Sequence, residues 1–158
     1  MTQDKALREH VVDLLMKEQA HVGFEKSVAE MPLEKAGVRP EGAPHSVWEE
    51  MEHLRITLWD ILEFSRDAKH VSPPWPEGYW PKEHAPKNKA AWEETLSAFR
   101  RDMKAMVALV KDEGTDLFAK IPHGDGQTVL REALLVADHN AYHLGQLVLV
   151  RKILGCWG

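Results

Sequence analysis

Apolar residues recur every three or four positions along four long stretches of this 158-residue chain, and nowhere do they alternate convincingly with a strand's period of two. Such stripes must be buried against one another, which restricts the chain to a helical fold. The first stripe, Leu7, Val11, Leu14, Leu15 and Val22, predicts a helix from Ala6 to about Met31, ended by Pro32. Pro32, Gly37, Pro40, Gly42 and Pro44 then mark a loop of turns up to His45. Ser46 with Glu49 three residues on is a capping box, and it starts a second helix whose stripe is Val47, Met51, Leu54, Leu58, Ile61 and Leu62, ending near Asp67.

Five of the nine prolines fall in residues 70–87, together with Trp75, Tyr79 and Trp80. That stretch is too rich in proline for helix and too aromatic for a flexible linker, so it reads as an ordered loop on the bundle, as a lid, a dimer contact or simple cover. Asn88 caps a third helix carrying Trp92, Leu96, Phe99, Met103, Met106, Val107 and Val110, which Gly114 ends. A turn over His123–Gly126 precedes Thr128, the cap of a fourth helix reaching about Leu154. Four long amphipathic helices joined by loops predict an all-α four-helix bundle, in one domain spanning residues 1–158.

Composition narrows the function. Twenty Lys and Arg against 25 Asp and Glu give a net charge of -5. That balance lacks the cationic surface needed to neutralise phosphates and argues against nucleic acid as a partner. The opening segment is charged and lacks a signal peptide's order, and no apolar run approaches the length of a membrane span. Cys156 is the only cysteine, so no internal disulfide forms and a reducing, cytoplasmic setting is expected. It lies after the last helix, where chain ends are usually loose, which disfavours it as a nucleophile and leaves Trp157 beside it free to pack on a neighbouring subunit.

One spacing carries chemistry. His139 and His143, four apart on the fourth helix, place two imidazoles on one face, within reach of a single metal ion. The segment Leu134–Leu154 is apolar nearly all round, so these rings are either metal ligands or core histidines satisfied by hydrogen bonds. His53 on the second helix is the candidate third ligand, although helical projection puts it on the polar margin beside Glu50, Thr57 and Asp60. That position also suits an exposed surface histidine.

The run HSVWEEMEHLRITLWDIL, together with ADHNAYHLGQLVLVRKILG, resembles the DinB/YfiT family of four-helix bundles. The likeness extends over nearly the whole order of helices and loops. Its most specific part pairs one histidine early in helix two with His-x-x-x-His-x-Gly-Gln in the last helix. The resemblance implies a divalent metal held by His53, His139 and His143, and it implies thiol-dependent S-transferase or isomerase activity in some members, with homodimers frequent. Three neutral imidazoles leave a coordination position open, as catalytic sites do, and such a donor set suits zinc or nickel. A metal-dependent transferase or hydrolase acting on a small molecule follows, with a low-molecular-weight thiol as possible cosubstrate. A non-catalytic metal-binding or stress-response protein and a metal-free bundle are the alternatives. Asp60 and Glu50 are candidates for a base or ligand orienter, and Gln146 for a supporting or substrate-binding group. His21 and His123 are further histidines that would matter only if they approach the site.

Overall fold

The computed structural model describes residues 2–158. Among these residues the fold is all helical, with α1 (Gln3–Met16), α2 (Phe24–Val28), α3 (Leu33–Ala36), α4 (Val47–Arg66), a 3-10 turn at Glu77–Tyr79, α5 (Lys89–Lys111) and α6 (Val129–Ile153). The four long helices α1, α4, α5 and α6 make the bundle. Its centre is α4, which packs on both α5 and α6, while α1 closes the structure by packing on the same two helices.

The expected first helix is shorter than its apolar spacing predicted. It stops at Met16, where the Lys17 N–H bonds the Asp13 carbonyl, because residues 17–21 are exposed and offer only the small Ala20 to continue the stripe before Val22. The chain then forms the short helix α2, which stacks Phe24 on Phe99 with ring centroids 4.3 Å apart. Glu30 turns the backbone at a positive φ of 51°, and Pro32 opens the single turn of α3 inside what the proline content predicted to be loop.

The other helix starts fall where their caps predict. Ser46 Oγ accepts from the Glu49 N–H at 3.2 Å, and the Glu49 carboxylate accepts from the Ser46 N–H at 2.7 Å. Asn88 caps α5 by accepting from the Ala91 N–H, and Thr128 caps α6 by accepting from the Arg131 N–H. At about 1.5 Å per residue, the 20 residues of α4 and 25 of α6 span roughly 30 and 37 Å. Met51, Leu54, Leu58 and Leu62 of α4 meet Phe99, Met106 and Val110 of α5 and Val136 and Leu147 of α6 in one buried core.

Two buried arginines fasten the ends. Arg8 donates to the carbonyls of Val110 and Asp112 at 2.7 and 2.9 Å, and to Thr115 at 2.8 Å, taking up carbonyls that the end of α5 leaves free. Arg151 donates to the Ser27 and Cys156 carbonyls, both at 2.7 Å, and its guanidinium lies under the Trp157 ring, 5.3 Å from the centroid. The tail expected to be loose is therefore tied to its own helix, and Trp157 packs within its own chain.

Candidate metal centre

His53 lies in the second turn of α4, and His139 and His143 stand one turn apart in the middle of α6, the helix packed beside it. The three rings converge. Centroids are 4.9 Å apart for His53 and His139, 4.4 Å for His53 and His143, and 4.4 Å for His139 and His143. One nitrogen from each lies within 4.8 Å of the others. The nearest pair, His53 Nε2 and His139 Nε2, is 3.0 Å apart.

Burial contradicts the helical projection of His53. The residue is 4% exposed, because the segment after α4 folds back over it. Trp80 lies flat on its ring at 4.0 Å with 3° between planes, and His45 stacks on the far side of the same indole at 3.8 Å. The Tyr79 carbonyl accepts from His53 Nδ1–H at 2.8 Å. His143 Nδ1–H donates to Glu50 Oε2 at 2.7 Å, and Glu50 is buried instead of solvated. In both histidines the proton is held on Nδ1, so Nε2 carries the lone pair.

This arrangement fits a metal. Ligating histidines usually donate their second ring nitrogen to a carbonyl or carboxylate, which fixes tautomer and ring orientation. A tetrahedral zinc ion with bonds of about 2.0–2.1 Å holds its nitrogens roughly 3.4 Å apart, a spacing that modest ring movement reaches from here. Among the described residues, these three histidines form the cluster able to hold an ion.

The remaining candidates fall elsewhere. Asp60 is buried and both its oxygens are engaged, one by His70 Nε2–H and the other by the Tyr79 hydroxyl, each at 2.7 Å. It therefore anchors the segment that covers His53 and stands one residue removed from the cluster. Burial and the Asp60 carboxylate together push the Tyr79 phenol up to about 12, so that hydroxyl stays a donor. Gln146 is half-buried, one turn past His143 on the same helix. His21 is exposed and bonded to the Val22 carbonyl. His123 donates to the Phe64 carbonyl at 2.6 Å. Phe64 lies 11 residues beyond His53, roughly 16 Å along α4, so His123 serves the far end of that helix.

Sequence reasoning missed His45, His70 and the specific roles of Tyr79 and Trp80. The aromatic content of residues 70–87 was the one available signal, and it shows only that the loop is ordered.

The family model described as the DinB superfamily matches residues 18–147, which include all three histidines. The chain belongs to the DinB superfamily. No curated protein and no solved structure matches it. The matched region begins after α1 and takes in α4, α5 and most of α6, the helices on which this DinB-superfamily chain builds its histidine cluster. No described helix is long and apolar enough to cross a membrane.

Burial disfavours the charged form of two of the rings. Burial lowers His139 from its ordinary 6.5 to about 3, assisted by repulsion from His143 and His53. His53 is lowered too, chiefly by burial. An unfolded His139 takes up its proton as the pH drops through 6.5, whereas the folded one refuses it until about 3. Stability is therefore complete above the unfolded value and is lost progressively toward acid. In metal-free protein the melting temperature is expected to fall steadily from pH 6.5 to pH 4, and to fall less in His139→Asn. A flat native profile over that range would show that the ring is not buried as described.

Proposed function

We propose that this DinB-superfamily protein binds a divalent ion, zinc or nickel, through His53, His139 and His143, and activates a thiol or water against a small electrophilic molecule. The observation that carries the reading is the pair of Nδ1 anchors, Tyr79 carbonyl and Glu50 carboxylate, which turn lone pairs inward before any ion arrives. A bound ion would supply Lewis acidity that makes a coordinated thiol or water nucleophilic near neutral pH.

The residues have separate tasks. Glu50 holds His143 in one tautomer and places negative charge behind it. The Tyr79 carbonyl does the same for His53 without charge, and Trp80 excludes water from the face of that ring. The low proton affinity of His139 keeps its ring free of competition from protons at working pH. His139 and His143 both retain some exposure, which leaves a side of the cluster open to a small molecule. A low-molecular-weight thiol is the cosubstrate that fits, in a reducing cytoplasm where Cys156 stays free.

Cobalt-loaded protein tests this directly. One equivalent should bind, and added 2-mercaptoethanol should produce a thiolate-to-metal charge-transfer band that saturates. Loaded protein should also speed transfer of that thiol to 1-chloro-2,4-dinitrobenzene. A loaded protein whose spectrum is indifferent to thiol and to azide would have a saturated ion, and the non-catalytic metal-binding reading would then replace this one.

A further inference from the structure

A cavity lies on the opposite edge of the buried face of α6 from the histidine cluster. It has a volume of about 400 Å³ and sits between the end of α1, α2, α5 and α6, walled by Leu14, Leu15, Phe24, Phe99, Met103 and Leu144. That size is within the range of small-molecule pockets, and the walls are apolar as such pockets usually are. None of the three clustered histidines lines it. Each residue of a helix is turned about 100° from the last, so Asn140 faces this cavity while its neighbour His139 faces the metal centre.

Asn140 is the informative residue. It is 8% exposed, lines the cavity, and its side-chain amide makes no hydrogen bond within the protein. An amide that has no partner within the protein and lines the cavity leaves two donors and an acceptor available to a polar group on a molecule that enters it. Charge at the mouth balances, since Lys17 pairs with Asp13 at 2.7 Å, Arg100 is held by both oxygens of Glu25 at 2.8 and 2.7 Å, and Lys104 and Glu18 line the same cavity with opposite charge. No excess charge is left there to recruit an ion.

We propose that this cavity binds a neutral aromatic or alicyclic molecule that carries one N–H, O–H or carbonyl group, with Asn140 as the polar contact. The site is separate from the metal centre and independent of the activity assigned to it.

The test uses N-phenyl-1-naphthylamine, a neutral fluorophore with a single N–H, beside 1-benzylnaphthalene, in which a methylene replaces that group. Native protein should bind the amine at one saturable site with a rise in fluorescence, and should take up the hydrocarbon as its competitor. Asn140→Leu should weaken the amine about tenfold, the ratio that one neutral hydrogen bond supplies, and leave the hydrocarbon unchanged. Ala141→Trp, which fills the cavity from its wall, should abolish both. If that variant loses its helical circular dichroism, Leu14→Trp at the half-exposed rim provides the block in its place. His53→Ala should leave both affinities unaltered. Absence of saturable binding would overturn the proposal, because the cavity would then hold only water, and so would equal losses for the two probes in Asn140→Leu, because Asn140 would then make no contact with the N–H.

Discussion

Zinc affinity should drop roughly a hundredfold when His139 becomes alanine, with the helical circular dichroism unchanged. The size follows from structural zinc sites, where about 10–16 kcal/mol is shared among four ligands, so one ligand is worth roughly 3 kcal/mol or about two powers of ten. His139 is the cleanest of the three to remove. Its Nε2 faces His53 Nε2 at 3.0 Å, yet it anchors no loop and holds no carboxylate, so its loss subtracts a donor and little else. Competition titration with a chromophoric chelator reads the change. Affinity within threefold of native would place the ion elsewhere, and with it would go the reading of the cluster as a metal centre.

Glu50→Ala is expected to lower zinc affinity by about tenfold to a hundredfold although Glu50 is not a ligand, the range seen when the group orienting a metal-bound histidine is removed. The carboxylate is buried and accepts from His143 Nδ1–H at 2.7 Å. Without it the imidazole is free to rotate or to move its proton to Nε2, which removes the lone pair that the ion needs. Glu50→Gln should cost less, because the amide oxygen still accepts that proton while the negative charge is gone. Equal losses for the two variants would mean that charge, and not ring orientation, is what Glu50 contributes. Native affinity in Glu50→Ala would exclude either role.

The sequence displays helices more readily than what covers them. Ser46 with Glu49, Asn88 and Thr128 mark three helix starts within their own few residues, because capping is a local contact between a side chain and nearby backbone donors. The end of α1 was misjudged for the converse reason. Val22 lies seven residues beyond Leu15 and extends the periodicity, but residues 16–21 between them are all exposed. The i, i+4 pair of His139 and His143 is visible directly, and the resemblance to a family favours His53, the candidate third ligand, over its reading as a surface histidine. Helical projection misplaced His53, Glu50 and Asp60, all predicted on a polar margin and all buried. Projection treats a helix as if alone, whereas Glu50 meets His143 of α6, and His53 and Asp60 meet Tyr79 and Trp80, which lie 26 and 27 residues further along than His53. Nothing short of the tertiary path reveals that contact.

That path constrains how the site can vary. The acceptor behind His53 is main chain, and every amino acid at position 79 carries the same carbonyl. Exchanging the side chain there costs the phenol's tie to Asp60 but cannot delete the oxygen itself. Lengthening or shortening the 70–87 connection shifts the carbonyl bodily. The ring at position 53 should therefore tolerate many spellings of that connection and very few changes in its length, a distinction that a survey of point variants alone would miss.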